Sequence, residues 1–150
     1  MTNWIVLPTI LPLLLGSILL VWRTPSVQRR WASALTFIGL IAVSKCLLWK
    51  TLSEKILILP MGGWKAPFGI FLSLDTLGAI MVTLALGVSL AALVYGFAQQ
   101  SIEDEHPMRI PLIFFLVAGI NLSFTTGDFF NLFVAFEIML ISSYSILTLE

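Results

Sequence analysis

One acidic side chain lies in the middle of a long apolar stretch in the last part of this chain. Residues 129–149 are apolar enough, and long enough, to cross a bilayer as a single helix. At about 1.5 Å per residue, Glu137 lies roughly 12 Å from the start of this stretch, well inside the hydrocarbon. A carboxylate at that depth is costly unless it is protonated, paired or hydrated, so intramembrane acids usually have a function. Glu137 is therefore the first candidate site residue, as a group that can bind and release a proton.

Two further polar side chains fall on the same face of this predicted helix. Because each residue of an α-helix turns the chain by about 100°, Tyr144 and Thr148 lie within about 20° of Glu137. A polar stripe of this kind can hold water and pass a proton. The alternative is a protonated Glu137 that hydrogen-bonds to a neighbouring helix and only holds a bundle together.

The composition indicates a polytopic membrane protein. Apolar residues make up 59% of the 150 residues and charged residues 11%, against about 25% charged residues in a soluble domain. The formal net charge is zero, and no basic patch suggests a nucleic acid partner. The single cysteine, Cys46, excludes an internal disulfide and a multi-cysteine metal site. No nucleophile–base pair, phosphate-binding loop or cofactor motif is found, so we expect no enzyme active site, metal or cofactor in this chain alone.

The apolar stretches predict an all-α integral membrane fold. Tryptophans at both ends of the first two stretches fit the two membrane interfaces, and Lys45, near the end of the second, can extend to its interface. The five predicted helices cover about residues 4–22, 31–49, 71–97, 110–126 and 129–149.

Residues 50–70 break the helical pattern. A short β-prone run at 55–59 precedes the turn signal PMGG at 60–63, and more prolines and glycines come after it. We predict a short hairpin-like or ordered loop at the interface between helices two and three, rather than another span.

The acidic residues outside the fifth helix each allow two interpretations. Asp75, near the start of the predicted third helix, either caps the helix N-terminus or acts as a buried site acid. Asp128 is a predicted N-cap of the fifth helix. The run EDEH at residues 103–106 either forms a solvated loop, which we expect, or binds a metal.

The loop charges favour one orientation of the chain. Four arginines lie in the loops after helices one and three, and three lysines in the loop after helix two. Because positive charge accumulates in cytoplasmic loops, we expect residues 23–30 and 99–108 in the cytoplasm. The N-terminus and residues 50–69 are then extracytoplasmic.

Three stretches resemble the D subunit of Mrp-type multisubunit Na⁺/H⁺ antiporters. Residues 62–70 (GGWKAPFGI) resemble the loop before its third helix, and Leu74-Asp75 fits the residues directly after that loop. Residues 127–133 (GDFFNLF) and 136–144 (FEIMLISSY) resemble its fifth helix. Related subunits of respiratory complex I and of membrane hydrogenases usually have Trp-Glu where this chain has Phe136-Glu137, so the resemblance favours the Mrp branch.

The resemblance implies a function for Glu137 as the proton-carrying acid of the fifth helix. It implies a multi-pass subunit of the cell membrane that exchanges Na⁺ for H⁺ together with other subunits of its complex. It also implies a much longer chain, whose later helices hold the lysine that partners the glutamate. We therefore expect residues 1–150 to be the N-terminal membrane segment of such a subunit, and not an enzyme.

Two alternatives stay open from the sequence. The first is a proton-pumping membrane subunit of NADH:quinone oxidoreductase or of a membrane hydrogenase. The second is a non-transporting five-helix fragment that only binds partner subunits.

Overall fold

A computed structural model describes residues 2–22, 26–62, 69–103 and 105–149. A short 3-10 helix, Thr2–Val6, leads into the first of five α-helices, and two strands lie between the second and third helices. The elements are α1 (Leu7–Val21), α2 (Ser26–Glu54), β1 (Ile56–Pro60), β2 (Phe71–Asp75), α3 (Thr76–Gln99), α4 (Arg109–Thr125) and α5 (Phe129–Leu147).

The predicted all-α membrane fold is confirmed. Four helical segments in the described residues are long and apolar enough to cross a membrane: α1 with its preceding turn, α2, α3 and α5. The remaining helix, α4, is apolar but has only 17 residues. It lies between the others, because α1, α3 and α5 all pack against it.

Helix α2 is longer than the span that we predicted at residues 31–49. It has 29 residues, because polar helix-forming residues extend it beyond the apolar stretch at both ends. Lys45 consequently lies within the helix, with an exposed side chain, and not near its end.

The prediction that the third helix begins at residue 71 is wrong. Residues Phe71–Asp75 form strand β2, and α3 begins at Thr76. Leu72 and Leu74 are buried while the residues beside them are more exposed, which is the two-residue alternation of a strand. This alternation is hidden in the sequence, because the strand is mostly apolar and continues directly into the helix.

The hairpin predicted near residues 50–70 is present, and its second strand is β2, which we had assigned to the third helix. Strand β1 pairs antiparallel with β2, so that Ile56 lies opposite Asp75 and Pro60 opposite Phe71. The predicted turn begins as expected, since Gly62 has a φ of 67°, in the left-handed region that suits glycine. Residues 63–68 of that turn and loop lie outside the described residues.

Strand β2 also fixes the link between α4 and α5. The amide of Gly127 donates to the carbonyl of Phe71 at 3.1 Å, and Leu72 forms an antiparallel bridge with Thr126. The hairpin of β1 and β2 therefore fixes the position of the residues directly before α5.

Helix α1 contains a proline whose structural cost is offset by α4. Pro12 has no N–H, so the carbonyl of Pro8, four residues earlier, receives no hydrogen bond within the helix. The side-chain amide of Asn121, which is fully buried on α4, donates to that carbonyl at 2.7 Å. A polar group between two apolar helices thus replaces the backbone bond that Pro12 removes.

The hydrogen bond from Asn121 to Pro8 predicts that the stability lost on replacing Asn121 depends on whether residue 12 is proline. Asn121→Leu leaves the Pro8 carbonyl unpaired, and we expect a loss of stability of about 1–3 kcal/mol. In a Pro12→Ala background the amide of residue 12 can bond to the same carbonyl, so Asn121→Leu should cost much less. The free energy of unfolding of the four variants in detergent gives the coupling between the two positions.

Ser123→Ala is the matched control on α4. The hydroxyl of Ser123 donates to Ile120 of its own helix at 2.7 Å, so its removal should change stability little in either background. An equal cost of Asn121→Leu in both backgrounds would contradict the assignment.

Candidate functional site

Helix α5 begins at a capped N-terminus, as predicted. The Asp128 carboxylate accepts a hydrogen bond from the amide of Phe130 at 3.0 Å. The hydroxyl of Thr126 accepts from the Asp128 amide at 3.2 Å and from the Asn131 side chain at 3.1 Å. The start of the helix that carries Glu137 is therefore fixed by several hydrogen bonds.

One side of α5 packs closely against α4. A Cβ added to Gly119 would lie 2.8 Å from Cγ of Met139 and 2.9 Å from the carbonyl oxygen of Ala135. Ala135 and Ser142 are the residues of α5 that are buried in the described chain. Small side chains thus let the two helices approach closely, as is usual between membrane helices.

The other side of α5 has few contacts with the described chain, and Glu137 lies on it. Glu137 is exposed and has no hydrogen-bond or ion-pair partner among the described residues. Large apolar side chains surround it, which in a membrane face lipid or another part of the protein. We call this surface the open face of α5, and it is formed by Phe130, Phe133, Glu137, Leu140, Ile141 and Tyr144.

The two predicted polar neighbours of Glu137 differ in their environment. Tyr144 lies on the open face with 65% of its surface exposed. Thr148 lies one residue beyond the end of α5, as its C-cap, and its hydroxyl donates to the carbonyl of Ser145 at 2.8 Å. The hydroxyl proton of Thr148 is therefore used in a hydrogen bond at the end of α5. On the open face, Tyr144 is the polar side chain that accompanies Glu137 among the described residues.

Asp75 caps a helix. Its Oδ1 accepts from the amide of Gly78 at 2.6 Å, at the N-terminus of α3. The first of its two predicted interpretations is confirmed, and this geometry supplies no evidence for a site acid.

The acidic run at residues 103–106 is not the fully solvated loop that we predicted. Glu105 is buried, and its Oε2 lies 3.1 Å from Nε of Arg30 and 3.6 Å from Nη2 of Arg29. Glu103 and His106 are exposed, and Asp104 lies outside the described residues. Within the described ranges, no group of three or more metal-binding side chains is found.

Arg30 joins three elements at this end of the bundle. Its guanidinium donates to the carbonyl of Phe97 at 3.3 Å and to that of Gln100 at 2.9 Å, and it lies 5.1 Å from the centre of the Phe97 ring. Arg30 therefore caps the C-terminal end of α3 while it pairs with Glu105. One indication that Arg29, Arg30 and Glu105 could pair is present in the sequence. The arginines and the acidic run lie in two loops that were predicted on the same side of the membrane.

Comparison with known proteins identifies the family that the chain resembles. No family model matches it. The chain is 40% identical over 149 residues to the Na⁺/H⁺ antiporter D subunit of Alkalihalophilus pseudofirmus, covering 99% of this chain and 30% of that protein. It is 34% identical over 151 residues to the Na⁺/H⁺ antiporter D subunit of Bacillus subtilis, with the same coverage. Over nearly its whole length the chain is a homologue of part of the Na⁺/H⁺ antiporter D subunits of these two bacteria.

Solved structures have the same fold as this D-subunit homologue. The Mrp complex from Dietzia sp. DQ12-45-1b matches 97% of the chain, and 27% of its own chain, with a TM-score of 0.88 and 23% identity. An archaeal membrane-bound sulfane sulfur reductase matches 94%, and 29% of its own chain, with a TM-score of 0.80 and 25% identity. The homologue thus spans about a third of the length of the proteins that it matches.

The packing of α5 on α4 predicts the effect of a small substitution. Gly119→Ala forces α5 away from α4, and we expect it to lower the free energy of unfolding by about 1–3 kcal/mol. Gly87→Ala is the control, because a Cβ at Gly87 would have no neighbour within 4 Å. Thermal unfolding of the purified protein should separate the two variants, and equal stabilities would contradict the close contact.

Proposed function

We propose that this chain is the segment of an antiporter D subunit that carries the proton-binding glutamate. The complete subunit, assembled with the other subunits of its complex in the cell membrane, exchanges cytoplasmic Na⁺ for external protons. The observation that supports this function most strongly is the position of Glu137. It is a carboxylate on the open face of an apolar helix, in a chain that is 40% identical to a Na⁺/H⁺ antiporter D subunit.

A proton carrier needs a group whose affinity for protons changes during the cycle. Burial in an apolar environment favours the neutral carboxyl group, whereas a nearby positive charge favours the carboxylate. In the D subunits that the sequence resembles, a lysine from the later helices supplies that charge. The open face of α5 is the surface on which such helices would pack, since its other side is already occupied by α4.

The two alternatives have weaker support. A redox-driven proton pump is consistent with the fold of the sulfane sulfur reductase, a respiratory membrane complex. Relatives at 40% and 34% identity are named Na⁺/H⁺ antiporter subunits, however, and one at 36% is named a probable K⁺/H⁺ antiporter subunit. These names favour a cation/proton antiporter over a redox-driven pump. A purely structural segment needs no ionisable side chain on a face of large apolar side chains, where a charge is costly.

The central prediction concerns Glu137 in the complete subunit and complex. Glutamine keeps the size and much of the hydrogen-bonding capacity of glutamate but cannot ionise. We expect Glu137→Gln to assemble normally and to abolish antiport, and Glu137→Asp to retain part of the activity. The measurement is the collapse of a pH gradient in everted vesicles on addition of Na⁺, normalised to the amount of assembled complex.

Glu54→Gln is the matched control, because Glu54 is an exposed acid at the end of α2. We expect it to keep its activity. Near-normal antiport in Glu137→Gln would remove the proton-carrier function and leave the structural alternative.

A further inference from the structure

A pocket of about 250 Å³ lies at the end of the bundle that holds the buried ion pairs. It is formed where the C-terminal end of α1 meets the start of α2 and the segment before α4. Its walls are Leu19, Leu20, Arg29, His106, Pro107 and Met108.

Arg29 is the charged residue in the wall of this pocket. Only 5% of its side chain is exposed. Its Nη1 donates to the carbonyl of Pro107 at 3.4 Å, and its Nη2 lies 3.6 Å from Glu105. Its Nε is buried and has no hydrogen-bond partner among the described residues. A buried guanidinium with an unused donor is costly, and an anion in the pocket would reduce that cost.

The buried group formed by Arg29, Arg30 and Glu105 carries more positive than negative charge. Glu105 is shared between two arginines and lies closer to Arg30, at 3.1 Å, than to Arg29. Arg30 also uses its remaining donors on the carbonyls at the end of α3. Arg29 is therefore the less neutralised of the two arginines.

The N-terminus of α4 adds to the attraction for an anion. The helix begins at Arg109, next to the pocket residues Pro107 and Met108, with no acidic residue in its first turn and no side-chain cap. The amide of Met108 donates to Nδ1 of His106 at 3.3 Å, the amide of Arg109 donates to the carbonyl of His106 at 3.1 Å, and Pro111 has no amide. The contribution of this helix end is therefore mainly the partial positive charge of the helix dipole.

Apart from Arg29 and His106, the wall residues of the pocket are apolar, and the pocket lies at the ends of helices that are long and apolar enough to cross a membrane. Leu20 and Met108 are exposed, and the exposed Val21 and Trp22 lie beside them at the end of α1. Tryptophan at a helix end is typical of the lipid headgroup region. A free phosphate would contact only the polar half of this pocket, whereas a phospholipid fits both halves.

We propose that this pocket binds the phosphate group of an anionic phospholipid. Arg29 and the N-terminus of α4 face the phosphate, and Leu20 and Met108 contact the adjoining hydrocarbon. The lipid fills the space between α1 and the start of α4, and it supplies the anion that Glu105 only partly provides. This inference concerns the opposite end of the helices from the hairpin and does not depend on the function of Glu137.

The test uses the complete subunit in its assembled complex, reconstituted in phosphatidylcholine vesicles with a photoactivatable phosphatidylglycerol. We expect cross-links at residues 19–20 or 106–108, mapped by mass spectrometry and reduced by excess phosphatidylglycerol but not by excess phosphatidylcholine. Arg29→Gln should lower this cross-linking about fivefold, the contribution of one arginine near an anionic membrane surface.

Leu20→Glu provides a second variant, in case loss of Arg29 impairs folding. It places a negative charge at the exposed rim without altering the ion pairs, and we expect a similar decrease. Lys45→Gln, with the same charge change as Arg29→Gln on an exposed part of α2, is the control and should not alter cross-linking.

Three results would overturn the proposal. Unchanged cross-linking in both Arg29→Gln and Leu20→Glu would show that the pocket does not hold the lipid. Equal competition by phosphatidylcholine would show that no anion is recognised. Competition by inorganic phosphate as effective as that by phosphatidylglycerol would replace the lipid with free phosphate.

Discussion

The lack of water inside a bilayer is the constraint on which this structure depends. Every polar group of a membrane helix must find its partner within the protein. Asn121 serves the carbonyl that Pro12 leaves unpaired, and hydroxyl groups such as that of Thr83 donate to the carbonyl of the preceding turn. Asp75 and Asp128 satisfy the first amides of their own helices. The buried Oγ1 of Thr9 and Oδ1 of Asn121 have no partner among the described residues. Glu137 is the larger departure, because it is an ionisable group in the middle of a helix and no partner for it is found in the described part of the chain.

The position of Glu137 results from how α5 is attached. The hairpin holds the start of the helix through Gly127, and α4 holds one side of it through Gly119. Both contacts require glycine, since a Cβ at Gly127 would collide with the ring of Phe71. A helix that is fixed at one end and along one side keeps its opposite side available. An acid on that side can then meet groups from the later part of a complete subunit.

Much of the fold could be predicted, because the length of an uninterrupted apolar stretch is a strong indication of a membrane-spanning helix. The five helices and the caps at Asp75 and Asp128 were predictable from local sequence. Strand β2 could not be separated from α3, because its alternation of Leu72 and Leu74 is masked by apolar neighbours. The pairing of Glu105 with Arg30 was missed for a different reason. It joins residues 75 positions apart, and its charges resemble those of an ordinary solvated loop.

Two residues of the open face, Glu137 and Tyr144, were candidates from the sequence. Glu137 could be identified from one acid in an apolar stretch, and the open face of α5 is consistent with that choice. Thr148, also predicted from the helical projection, is the C-cap of α5, and its hydroxyl donates to the carbonyl of Ser145. The open face indicates the side of α5 from which a partner for Glu137 would approach.

Infrared difference spectroscopy of the assembled complex tests the proton-carrying function of Glu137 most directly. The carboxyl C=O stretch of Glu137 reports whether the group is protonated, and it can be assigned by its absence in Glu137→Gln. We expect a protonated Glu137 band that decreases when Na⁺ is added at constant pH and returns when Na⁺ is removed. A Glu137 band that does not respond to Na⁺, or a carboxylate that stays ionised throughout, would contradict this function.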